Sequence, residues 1–286
     1  MEKYESMIRI HYDGDIAQNH QIPMRILGKC LTHIQSAIDR AYLDIKHDGV
    51  WKYARMAPDD YIKTEYIIQS PKEGGYILDF FSSIKESKKI ANRISSAIDQ
   101  ALEQVKTQTT SIKDQVLLRK NQILQEIKKP ISFSLLFDHP SPEIVRQYGD
   151  RSIAKEIDQV LTTIRSDYSG DSTFELSLTG DGTKKYDFNK QKSISFHDAV
   201  SKRSVGIPVQ YAGQIDEPSM KKRRCKFTNN ENGKTSILHL NSDEDFLLIH
   251  PYAVPDKEIK FIGCPLIEFG ALEPNCGDIF FIELDN

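Results

Sequence analysis

The sequence predicts an α+β protein in two parts: an N-terminal α+β module with long helices over residues 1–190, then a small antiparallel β-barrel-like domain over 191–286. Three observations predict it. Residues 82–129 contain neither Pro nor Gly and carry apolar side chains at helical spacing. Ahead of them, alternating segments read as strands around one amphipathic helix. Beyond Ser193, short strand-like segments separated by turn residues follow one another to the end of the chain.

Taken in order, Met7–Tyr12 alternates and ends at Asp13-Gly14-Asp15, a strand running into a turn. Ile26, Leu27, Cys30, Leu31, Ile34, Ile38, Tyr42 and Ile45 recur at helical spacing from Pro23 to Lys46, and Pro suits a first helical turn, where its missing N–H would be unpaired anyway. Tyr61–Gln69 and Tyr76–Phe81 read as a hairpin through Pro71-Lys72-Glu73-Gly74-Gly75.

The helical segment 82–129 follows. Its apolar seam steps from Ile90 to Ile94, Ile98, Ala101 and Val105, averaging near 3.5 residues, the spacing of a coiled-coil seam. Gln108 interrupts the seam before Ile112, and Thr107–Ser111 is poor in helix formers. Two arrangements fit: one rod of about 70 Å at 1.5 Å per residue, or an antiparallel helical hairpin. The same stripe also suits simple packing on this chain's own core.

After Pro130, Ile131–Phe137 reads as a strand, Ser141-Pro142-Glu143 as a helix start, Ser152–Arg165 as an amphipathic helix, and Phe174–Leu178 as a strand before the turn Thr179–Gly182. The best domain cut lies between Lys184 and Ser195. Strand candidates then follow at Gly206–Tyr211, Cys225–Thr228, Ser236–Leu240, Phe246–Ile249, Glu258–Ile262 and Ile279–Leu284. A closed barrel of the oligonucleotide-binding or SH3-like type suits them, because closure removes exposed edges.

Composition bounds the function classes. A hydrophobic fraction of 39% and a charged fraction of 28% over 286 residues support a folded core. No apolar run reaches the roughly 18 residues of a membrane span, and Met1–Glu5 lacks the apolar stretch of a secretory signal. Cys30, Cys225, Cys264 and Cys276 form no CxxC pair, so free thiols and a cytoplasmic location are expected. The net charge of −3 is unevenly spread: residues 82–129 hold ten Lys or Arg against five Asp or Glu, and residues 241–286 hold two against ten. Such opposed fields can steer docking or simply keep both surfaces soluble.

Four local features bear on chemistry. His11, Asp13, Asp15 and His20 surround the first turn, with His11 and Asp13 on one side of a strand, although no established metal spacing is present. His197-Asp198 could orient an imidazole, but no Ser or Cys nucleophile signature completes a triad. The segment Gly180–Lys185 lacks phosphate-loop spacing and reads as a hairpin turn. Lys221-Lys222-Arg223-Arg224-Cys225-Lys226 packs five cations into six residues, suited to phosphates. Tyr211 and Phe227 then supply stacking surfaces for bases, and the cations around Cys225 lower its thiol pKa.

The leading expectation is a non-catalytic binding or assembly protein, a homo-oligomer or a partner-binding subunit, with Ile94, Ile98, Ala101, Val105 and Ile112 as its contact residues. The first alternative is nucleic-acid binding through the barrel, using Lys221, Lys222, Arg223, Arg224, Lys226, Tyr211 and Phe227. The second is a hydrolase or nuclease with a site near residues 11–20. Neither a cofactor nor a metal is expected, and no membrane partner.

Overall fold

A computed structural model describes residues 5–68, 76–103, 111–141, 143–255 and 257–285. In chain order its elements are β1 (Glu5–Asp13), α1 (Met24–His47), β2 (Ile67–Ile68), β3 (Tyr76–Ser82), α2 (Ser87–Leu102), α3 (Ile112–Leu124), β4 (Ile131–Ser132), α4 (Leu135–Asp138), α5 (Tyr148–Arg165) and β5 (Thr173–Thr179). There follow β6 (Thr183–Phe188), α6 (Lys190–Val200), β7 (Arg203–Val205), β8 (Val209–Ser219), β9 (Arg224–Asn229), β10 (Thr235–His239), α7 (Asp243–Ile249), β11 (Ile259–Glu268), β12 (Ala271–Leu272) and β13 (Ile279–Leu284). They form two units: residues 1–106 with 148–201, and residues 107–147 with 202–286. The fold class is α+β, with helices on an antiparallel sheet in the first unit and a small mixed five-stranded barrel in the second.

In the first unit the sheet order is β2-β3-β1-β5-β6, antiparallel throughout. Side chains alternate across it, as strand geometry requires. Ile8, Ile10, Tyr12, Leu78, Phe80, Phe174, Leu176, Leu178, Tyr186 and Phe188 are buried. Helices α1, α2 and α5 pack against one another, and α2 and α5 also contact the sheet. A buried ion cluster ties the helices together: Arg93 of α2 donates to Asp44 of α1 and Asp150 of α5, each at 2.7 Å. Gly149 lies against that Asp44 carboxylate, so closely that a Cβ would overlap it.

The second unit closes as β8-β9-β10-β13-β11 and back to β8. The pairs of this ring are antiparallel except β10 with β13, which run parallel, and β4 adds a second parallel pair on β8 outside the ring. The expected small barrel is present, with one parallel pair among its antiparallel ones, because β13 inserts between β10 and β11. Phe227, Phe261 and Phe281 fill the interior, joined by Phe246 and Ile249 of α7 and by Phe133 and Leu136 from residues 133–136. Gly213 lets the wall of β8 approach the Phe227 ring and the Thr228 carbonyl, where a Cβ would collide. Outside the barrel, Val116 of α3 covers Val205, Ile262, Cys264 and Ile282.

Several expected elements differ. Of the two arrangements open for 82–129 the single rod is not found: the segment holds two helices, α2 and α3, belonging to different units, and Val105 and residues 107–110 lie outside the described residues. So do residues 71–75 of the expected hairpin turn and Pro142. Of Tyr61–Gln69, residues 61–64 belong to a 3-10 segment, Pro58–Thr64, Ile67–Ile68 is strand, and Gln69 lies outside the described residues. Of Ile131–Phe137, Ile131–Ser132 is strand and Leu135–Asp138 a short helix. Ser141 and Glu143 are not helical, and the helix expected over Ser152–Arg165 begins earlier, at Tyr148. The stretch taken as a domain cut holds β6 and the helix α6, the latter capped by Asn189. Phe246–Ile249 is helical because Ser242 and Asp245 form a capping box that starts α7.

Candidate functional site

In the first unit, strand register assembles a polar row on the sheet face whose alternate residues are not buried. His11 of β1 pairs across to Glu175 of β5, and Glu175 pairs on to Asp187 of β6. Asp13 and Thr173 pair two residues along the same strands, so they share that face. Together with Asn189 and Lys192 at the start of α6, these residues line a cleft of about 350 Å³.

The polar groups of the cleft have uneven partners. Burial works against ionisation of Glu175, yet the Lys185 ammonium at 2.6 Å, with help from His11 and Ser177, holds its pKa below the usual carboxylate value. Lys192 Nζ donates to the Asp187 backbone carbonyl at 3.1 Å. One oxygen of Asp13 accepts the Gly14 N–H at 2.8 Å. His11 Nε2 is buried without a hydrogen-bond partner among the described residues. Of the residues expected around the first turn, His11 and Asp13 therefore reach one cleft with Thr173, Glu175, Asp187, Asn189 and Lys192, all distant in sequence. Asp15 instead accepts the Asp171 N–H at 3.2 Å, and His20 is not among the lining residues. Among the described residues, no group of three or more His, Cys, Asp or Glu is arranged to hold a metal ion.

His197 has a different partner from the one its sequence neighbour suggests. Its Nδ1 lies 2.9 Å from Asp158 of α5, which also accepts from Arg165 at 2.6 Å. The nearby Ser193 hydroxyl donates to the Leu161 carbonyl at 3.1 Å. The trio clamps α6 to α5, with its hydroxyl committed to the backbone.

The assembly residues separate. Ile94, Ile98 and Ala101 are at most 2% exposed, inside the first unit. Ile112 is partly buried on the outer barrel cluster. These positions are turned to the chain's own cores, as burial of the stripe requires. What α3 leaves outward instead is Leu117, Leu118 and Leu124, at 57%, 54% and 65% exposure. Its hydrophobic positions lie all round the helix, and a reading that followed one seam passes over the second face.

In the second unit, Tyr211 and Phe227 are 3% and 0% exposed, with their rings 6.0 Å apart inside the barrel. They are core residues rather than the stacking surfaces expected, because inward positions of a small barrel must be filled. Cys225 is likewise inward, and burial pushes its thiol up to about 12, reversing the expected lowering. Arg223 pairs with Asp243 at 2.9 Å and Lys226 with Glu217 at 2.6 Å. Lys221, Lys222 and Arg224 are exposed and make no ion pair among the described residues.

All four cysteines are buried, and none is in a disulfide among the described residues. Among the described residues no helix is long and apolar enough to cross a membrane. No family model matches the chain, and no curated protein or solved structure matches it either.

Proposed function

We propose that this protein is a non-catalytic assembly component that self-associates through the outward face of α3. The observation that carries the reading is the exposure of Leu117, Leu118 and Leu124 on a helix whose opposite side already covers the barrel. Exposed clusters of large aliphatic side chains mark interaction surfaces. Leu117, Asn121 and Leu124 lie along one stripe, at i, i+4 and i+7. Two antiparallel copies centred between Lys120 and Asn121 set Leu117 of each against Leu124 of the other. That reciprocity is what a two-fold contact requires.

Light scattering across a concentration series tests it. The expected result is a dimer that the double variant Leu117→Glu, Leu124→Glu converts to a folded monomer. A wild-type monomer at high concentration would end the reading.

One observation favours a second reading, single-stranded nucleic acid on the barrel. Lys221, Lys222 and Arg224 are unpaired beside the turn joining the first two barrel strands, and a small five-stranded barrel is an architecture used for oligonucleotides. With Tyr211 and Phe227 in the core, that reading rests on charge alone. It expects a weak gel shift at low salt, lost when all three cations become Gln.

A further inference from the structure

We infer that the barrel of the second unit binds one buried water molecule between Tyr211, Asn229 and Ser236, beneath the loop 273–277. This site is independent of assembly through α3. Strand alternation brings the three side chains together. Tyr211 of β8, Phe227 of β9 and Leu238 of β10 belong to the barrel core. Asn229 lies two residues from Phe227 and Ser236 two residues from Leu238, so both share the inward face. Asn229 pairs across to Gly213 and Ser236 to Phe227, on three strands that neighbour one another. All three residues line one cavity of about 10 Å³, closed over by Glu273, Pro274 and Asn275.

Their polar atoms are short of partners. Each residue is more than nine-tenths buried. The Tyr211 and Ser236 hydroxyls make no hydrogen bond among the described residues. Asn229 spends its Oδ1 on the Glu231 N–H at 2.9 Å, and its Nδ2 has no partner among the described residues. Each of these atoms keeps surface that a water can reach, and for side chains this deep that surface is the cavity wall. Two hydroxyls that donate or accept, and an amide that donates, supply the three hydrogen bonds typical of a buried water. The cavity volume is close to that of one water-sized sphere, far below what an organic ligand needs. A cation is disfavoured by the Asn229 Nδ2 donor, and an anion by the Glu273 side chain on the same wall.

The test joins a crystal structure of the full chain, at a resolution that shows ordered solvent, to oxygen-17 magnetic relaxation dispersion in solution. One solvent peak is expected within about 3.2 Å of at least two of Tyr211 Oη, Asn229 Nδ2 and Ser236 Oγ. The double variant Tyr211→Phe, Ser236→Ala keeps the ring and the strand but removes both hydroxyls. It should lose the peak, and the dispersion amplitude should fall by one long-lived water per chain. Thr235→Ala, whose side chain is on the outward face of β10, should leave both readings unchanged. An empty cavity, an ion at the peak, or the three groups bonded directly to one another would overturn the inference. So would a dispersion amplitude that the double variant leaves unchanged. If that variant does not fold, the wild-type peak decides alone.

Discussion

Gly149 lies so close to the Asp44 carboxylate that only a hydrogen fits between them. Asp44 cannot swing aside, since Arg93 holds one oxygen at 2.7 Å and the Val50 N–H holds the other at 2.9 Å. Gly149→Ala is therefore expected to destabilise the first unit by about 1–3 kcal/mol, read from denaturant unfolding, as overpacking does elsewhere. Asp60 supplies a pH dependence. Its largest influence is the hydrogen bond from Lys46, at 2.7 and 2.8 Å to its two oxygens, and its pKa is lowered. A folded pKa below the unfolded one stabilises the protein above the unfolded value, and that contribution is lost as pH falls through the folded value. Stability should thus decline more steeply on acidification in the wild type than in Asp60→Asn, which already lacks the contribution at pH 7. Equal slopes would show that Lys46 does not hold Asp60. The Cys225 thiol, pushed up to about 12 by burial, should react with alkylating reagents only as fast as the protein unfolds.

At the level of elements, the two helices drawn from one sequence stripe respond oppositely to charge. Ile98 of α2 is 0% exposed, so Ile98→Asp buries an unpaired carboxylate and should cost about 4 kcal/mol or more, abolishing cooperative unfolding of that unit. Leu117→Glu on α3 falls on an exposed face and should leave the melting temperature within a few degrees of wild type while acting on assembly. If both variants unfolded alike, the outward face of α3 would be structural. The short helix α7 depends on its cap: Ser242 accepts the Asp245 N–H at 3.2 Å, while Asp245 accepts the Asn241 and Ser242 N–H groups. Ser242→Ala should cost about 1 kcal/mol. That cap was readable as Ser242-Asp243-Glu244-Asp245, but the apolar run Phe246–Ile249 is equally a strand by its composition, and four residues are too few for periodicity to decide.

Across the whole molecule, the chain leaves and re-enters each unit instead of finishing one before starting the next. Residues 107–147 bring Val116, Phe133 and Leu136 to the cores of the barrel unit. Residues 202–286 expressed alone should therefore be unfolded by circular dichroism, whereas the same residues supplied with 107–147 should fold. A stable isolated 202–286 barrel would contradict this packing. The α+β class, the amphipathic helices around Ile34, Ile94 and Ile157, and most barrel strands follow from periodicity, because local sequence sets which face of an element is apolar. Sequence alone also established the basic run 221–226 and the pairing of His11 with Asp13 on one strand face. Only the tertiary structure decided what those faces meet. Glu175 and Asp187 join His11 through strand register over more than 160 residues, Tyr211 and Phe227 turn inward to fill a barrel, and the seam of α2 is consumed by its own unit. An amphipathic stripe records that a face must be covered; which surface covers it depends on contacts between segments that no local pattern encodes.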